Sequence, residues 1–198
     1  NYLIFLQIIL FMFITPGAPR VLIMSQSINY GFGRSLWTAF GDISANTVHM
    51  ILVLLGLGAV IKLFPNIVIY FKWAGILYLL YIAYGYVKKK STIDLNTNLK
   101  IKSTTSLYID GFLVAFFSPK ATVFFVTVFP TFLKTGEDYL INFLVLMFSY
   151  VILDFLTLAI YSGIAKSISN RLKANLATIN YISSAALVFI AIVIAIKV

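Results

Sequence analysis

The stretch YLIFLQIILFMFITPGAPRVLIMSQS, Tyr2–Ser27, is apolar at nearly every position outside its centre, where Thr15-Pro16-Gly17-Ala18-Pro19-Arg20 interrupts it. A helix that crosses a membrane needs about 20 mostly apolar residues. Proline removes a backbone donor and crowds the preceding turn. The stretch therefore predicts a spanning helix that breaks at its middle, which membrane proteins tolerate where the freed backbone faces protein or a cavity. It also runs well past signal-peptide length, so it is expected to be a retained span.

Five more stretches have the same character: Leu36–Ile61, Ile67–Val87, Leu107–Leu133, Tyr139–Ala165 and Asn175–Ile196. The fourth span is interrupted as the first is, by Ser118-Pro119. The composition agrees, since 61% of the 198 residues are hydrophobic and only 11% are charged. A soluble domain holds roughly 45–50% apolar and about 25% charged residues, and one this small lacks the interior to hide the excess. Intrinsic disorder needs low hydrophobicity and is excluded.

The six spans and two breaks point to one architecture. Pro16 and Pro119 lie about half a chain apart, and the helix after each carries an acid, Asp42 in the first half and Asp154 in the second. Three spans per half is an odd number, so the halves must insert in opposite senses. That is the inverted-repeat pattern of secondary transporters, whose sites lie near the midplane at discontinuous helices. The expected fold is all-α and integral to the membrane. It is a single transmembrane domain over residues 1–198, with repeat one about 1–87, a basic loop 88–106 and repeat two about 107–198.

The charges orient it. Fifteen Lys and Arg against six Asp and Glu give a net charge of +9. In a soluble protein this would suggest nucleic acid; in a membrane protein it reports loops that face anionic lipid headgroups, and no nucleic-acid partner is expected. The connection 88–106 carries Lys88, Lys89, Lys90, Lys100 and Lys102. If it is cytoplasmic, Arg34, Lys166, Arg171 and Lys173 share its side, while Lys62, Lys72, Lys134 and Lys197 lie opposite. The positive-inside rule then places both termini outside, periplasmic or extracellular, for a multi-pass protein of a bacterial inner membrane.

The polar residues within the spans fall on single helix faces. Asp42, Asn46 and His49 are spaced i, i+4, i+7, and Thr38 extends that face. Tyr150, Asp154, Thr157 and Tyr161 form a matching face in the fifth span. Intramembrane acids usually face a cavity and handle ions or protons. Asp154 lies deep in its span, so it is expected to be the principal proton-coupling group, with Asp42 second. The structural alternatives are a pair between Asp42 and Arg34 near the interface, and one between Asp154 and Lys120 or a tyrosine. His49 could serve substrate or simply bond between helices.

The breaks offer the other half of a site. Around Thr15, Pro16, Gly17 and Ser118, Pro119, main-chain N–H groups at a half-helix start attract a carboxylate, and freed carbonyls attract an ammonium. Arg20 and Lys120 follow the two breaks and could fix a carboxylate, or reach for an interface as snorkelling charges. A small zwitterion suits such a site. Gly41-x-x-x-Ala45 and Gly111-x-x-x-Ala115 are expected to let helices approach closely. Tyr70, Tyr78, Tyr81, Tyr84 and Tyr86 read as belt and packing residues.

Other chemistries lack their residues. There is no Cys and one His, which removes thiol redox steps and any multi-histidine metal site. Ser44 and His49 are out of helical phase for a nucleophile–base pair, and no glycine-rich phosphate loop is present. No cofactor, no metal and no enzymatic activity are expected.

The motifs taken together resemble the lysine/homoserine exporter (LysE/RhtB) family. Phe13-Ile-Thr-Pro-Gly-Ala-Pro19 resembles its TPGP signature. Gly31-Phe-Gly-Arg34 and Phe40-Gly-Asp42 look like its run into the second helix, and Trp73–Leu79 is similar to its third-helix pattern. Gly111–Ala121 resembles its NPKA block, followed by Val128-Phe-Pro-Thr-Phe132. Ala18 stands where the family usually has Pro, and Ser118 where it has Asn. The resemblance implies an inner-membrane exporter of amino acids or related small metabolites, driven by a proton or ion gradient. Its partners would be the small-molecule substrate, protons and lipids, with homo-oligomer formation left open. A cation or metal-ion exporter, and a scaffold subunit without transport, are the alternative readings.

Overall fold

The computed structural model describes residues 2–14, 17–56, 66–88, 102–133, 138–172 and 176–197, and these are almost entirely helical. Thr15 and Pro16 lie outside the described residues, as does most of the basic loop. The helices are α1 (Tyr2–Ile14), α2 (Ala18–Tyr30), α3 (Phe32–Leu54), α4 (Asn66–Lys88), α5 (Thr104–Phe116), α6 (Pro119–Val123), α7 (Tyr139–Leu172) and α8 (Leu176–Lys197). A wide π turn, Phe124–Val128, and a tight turn, Phe129–Phe132, continue α6.

Both expected breaks are present. The axes of α1 and α2 meet at 53°, and those of α5 and the segment Pro119–Phe132 at 52°. Each broken helix opens with a 13-residue half. The second halves start in similar ways. Gly17, in an extended conformation, caps α2, and Pro19 sits in its first turn. Ser118 caps α6 by accepting from the Ala121 N–H, and Pro119 follows at once. Proline is at home there because the first N–H groups of a helix have no intrahelical partner. Pro19 and Pro119 thus both sit in the first turn of a second half-helix; Pro16, the expected counterpart of Pro119, lies outside the described residues.

Helix bounds differ modestly from the expected spans. α3 starts four residues earlier than Leu36, and α7 runs on through Lys166 and Arg171 to Leu172, so these two bases sit on a helix rather than a loop. Among the described residues, Tyr139–Ser167 is long and apolar enough to cross a membrane alone; the two bent pairs also qualify if each is one span.

Two glycines let α3 and α5 cross closely. A Cβ on Gly41 of α3 would collide with the Tyr108 carbonyl of α5, and a Cβ on Gly111 of α5 would collide with the Thr38 carbonyl of α3. Each glycine faces the backbone three residues before the other, so the crossing is reciprocal. Close backbone approach through small residues is how helices associate where lipid removes the hydrophobic drive.

The apolar side chains collect around the breaks. Phe5, Ile9 and Phe13 of α1 pack with Phe124, Phe125, Phe129 and Tyr150. Phe13 meets Tyr150 edge to face at 5.1 Å. A second cluster joins α2, α4 and α8 through Leu22, Leu79, Ala83 and Leu187. Elsewhere α4 turns Tyr70, Trp73, Tyr81 and Tyr84 outward, as belt residues would be.

Candidate transport site

A cavity of about 380 Å³ lies where the two breaks meet. Its size is within the roughly 300–1,000 Å³ of small-molecule sites. Gly17, Pro19 and Arg20 line it from the first break, and Ser118, Pro119 and Lys120 from the second. Asp42 and Asn46 reach it from α3, and Tyr150 from α7. Much of the apolar wall comes from α8, through Ala186, Phe189, Ile190 and Val193. Nothing in the sequence marked α8, because an apolar wall carries no polar signal.

The polar groups form a connected set. The Arg20 guanidinium forms an ion pair with Asp154, and both side chains are buried. Asn46 Nδ2 donates to Asp42 Oδ2 and to Asp154 Oδ2, each at 2.9 Å. Asp42, Asn46 and Asp154 are each no more than 2% exposed. The Phe13 ring lies 5.0 Å from the Arg20 guanidinium carbon. Two carboxyls and one guanidinium are therefore held together in an apolar setting.

The backbone freed at the first break has takers. In an α-helix, N–H groups donate four residues back, and Pro16 has no N–H to offer the Met12 carbonyl. Lys120 Nζ donates to that carbonyl at 2.8 Å. Tyr161 Oη donates to the Ile14 carbonyl at 2.9 Å. Arg20 and Lys120 thus each reach across to the opposite half of the chain.

Several partners differ from the sequence expectation. Asp154 is paired, and its cation is Arg20 rather than Lys120. Arg34 does not meet Asp42; it donates to the Lys102 carbonyl. His49 is not part of the cavity wall; its ring lies flat between Phe116 and Phe125, with centroids 5.1 and 5.5 Å away. Thr157 turns back to its own helix at the Asp154 carbonyl.

One further buried acid lies outside the two polar faces of α3 and α7. Asp110 of α5 is 4% exposed. It pairs with Lys102 and accepts from Gln26 Nε2 at 2.7 Å and Tyr78 Oη at 3.0 Å. Thr38 in turn donates to Gln26 Oε1. Tyr78 is therefore part of a polar network rather than a belt residue only. Further along the same side, the Ser27 hydroxyl donates to the Ser162 carbonyl at 2.8 Å, and Ser35 and Ser162 share a hydroxyl contact of 2.7 Å. Among the described residues, no three His, Asp or Glu side chains gather as a metal site would require.

Residues 10–198 match the LysE type translocator family. The chain belongs to that family. It is a helical membrane protein of a translocator family, as its motifs implied. It is 28% identical over 163 residues to proteins named homoserine/homoserine lactone efflux protein in Salmonella typhi and Salmonella typhimurium, covering 81% of this chain and 78% of each relative. It is 26% identical over 161 residues to an uncharacterized membrane protein of Vibrio cholerae, with the same coverage. No solved structure matches it.

Proposed function

We propose that this LysE-type translocator is a secondary exporter of homoserine-type amino acids across the bacterial inner membrane, working by proton antiport. The observation that carries this reading is the cavity between the two broken helices, where Arg20, Asp42, Asn46 and Asp154 are brought together from both halves of the chain. Ionisable groups within a membrane span are costly, and where they line a cavity they mark substrate, ion or proton pathways.

The reading includes six spans arranged as two inverted three-span repeats. The matched half-helices, the Pro19 and Pro119 restarts, and the reciprocal reach of Arg20 and Lys120 support it. Thr15, Pro16 and Gly17 with Ser118 and Pro119 would present main-chain groups to the cargo, and Arg20 and Lys120 would complement its carboxylate. His49 would act from behind the wall, by fixing Phe116 beside the second break.

Coupling follows from the charge count. Arg20 pairs with Asp154, and Asn46 ties Asp42 to the same carboxylate, so these two acids and one guanidinium are together neutral when one carboxyl carries a proton and anionic when neither does. A proton taken from outside and released inside would drive the cargo outward. The test uses purified protein in liposomes loaded with labelled homoserine, with an acidic exterior imposed. Efflux faster than from protein-free liposomes, abolished when a protonophore collapses the gradient, is expected; efflux unaffected by the gradient would refute antiport.

A further inference from the structure

The hydrogen bonds around Asn46 leave two acceptors without donors. Its amide nitrogen is committed to both carboxylates, at 2.9 Å each, so its carbonyl must point the other way. Asn46 Oδ1 and Asp42 Oδ1 are buried, and neither accepts a hydrogen bond from the described residues. Both residues line the cavity. A buried acceptor left unmade carries a desolvation cost that a ligand donor would relieve. The two acids are not equivalent in this respect. Asp154 is held by Arg20 and Asn46, whereas the one donor that reaches Asp42 is the Asn46 amide, at Oδ2.

We infer that Asp42 Oδ1 and Asn46 Oδ1 form a subsite for a protonated amine, so that cargo ammonium and transported proton occupy Asp42 in turn and never together. The inference rests on the proposed export function and says where in that site the cargo amine is held. An ammonium supplies three donors to the two oxygens. When Asp42 takes a proton, it loses its charge and one acceptor, and the amine leaves. The groups that face Asp42 are Arg20 from α2 and Asp154 and Tyr150 from α7; Lys120 of the second break lines the same cavity, and His49 lies nearly two turns on in α3. The two cations repel an amine and draw the cargo carboxylate to their end, which fixes its direction in the cavity.

The test is homoserine counterflow in liposomes at fixed pH on both sides, with competitors added outside. γ-Hydroxybutyrate, which is homoserine without its amine, should compete about a hundredfold or more weakly than homoserine, because a site built for N–H donors rejects the analogue lacking them. N-acetylhomoserine should behave likewise. Homoserine half-saturation should weaken as both sides are acidified together, and in Asp42→Asn this pH dependence should vanish. The analogues test the wild-type protein, so they remain decisive even if Asp42→Asn fails to fold. Equal competition by γ-hydroxybutyrate, or an unchanged pH dependence in folded Asp42→Asn, would overturn the amine subsite while leaving export standing. Absence of any homoserine counterflow by the wild type would overturn both.

Discussion

Arg20 and Asp154 lie 134 residues apart in the chain and form one buried ion pair, with side chains 9% and 0% exposed. The pair joins the helix that follows the first break to the long helix α7. Removing one member leaves the other charged in an apolar surrounding, which typically costs about 3–5 kcal/mol, whereas replacing both is often neutral. Asp154→Asn and Arg20→Met should each lower thermal stability in detergent by that order. The double variant Arg20→Met/Asp154→Leu should recover most of the loss and still fail to transport. Recovery of stability without transport, read by unfolding and liposome efflux side by side, separates the two roles.

Lys120 makes a different kind of contact. Its ammonium caps the Met12 carbonyl at 2.8 Å, and the residue is exposed to the cavity rather than buried. A hydrogen bond involving a charged group is worth about 1.5–3 kcal/mol. Lys120→Met should therefore fold but export about tenfold to a hundredfold more slowly, and Lys120→Arg should retain more of the rate. Initial efflux rates normalised to protein content give the measurement.

The Gly41–Gly111 crossing tests the packing. Alanine at either position places a methyl group against backbone, which cannot swing aside as a side-chain tip can. Gly111→Ala and Gly41→Ala should each sharply reduce the yield of monodisperse protein on size-exclusion chromatography. Gly33 has nothing within 4 Å of an added Cβ and sits at the start of α3. Gly33→Ala should be tolerated or gain roughly 0.5–1 kcal/mol, the usual helix preference of alanine.

These relationships were legible in the sequence to different degrees. The breaks were readable because proline acts locally, through its missing N–H. The Gly41 and Gly111 contacts were readable because small residues at four-residue spacing mark a close helix crossing. The shared face of Asp42 and Asn46 followed from helical periodicity alone. The choice of Arg20 over Lys120 as partner of Asp154 did not, because it depends on how two bent helices pack in space. Asp110 carries no such signal, because it lies at the edge of the apolar stretch that begins at Leu107; α5 begins at Thr104, and Lys102 folds back onto the carboxylate. His49 shared a face with Asp42 but lies nearly two turns along it, where Phe116 and Phe125 close over the ring.

The Lys102–Asp110 network lies on the side of the cavity toward the basic loop. Along α2 it starts at Gln26, beyond Arg20; along α3 at Thr38, one turn before Asp42; along α5 at Asp110, before the cavity residue Ala115. Cargo entering from the loop side must pass this layer, so the layer should be broken in one stage of the cycle. Asp110→Asn weakens the charged contact to Lys102 while keeping the shape. A single cysteine at Ala115, in a chain that has no native Cys, then reports access from either side. Thiol reagent applied from the cytoplasmic face should label Ala115→Cys several-fold faster in the Asp110→Asn background than in the wild-type background, and labelling from the opposite face should not rise. Placing a cysteine at Ser91 in the basic loop fixes which face is cytoplasmic, since it should react only with reagent on that side. Equal labelling of Ala115→Cys in both backgrounds would mean that the Asp110 network holds the helices together without gating the cavity.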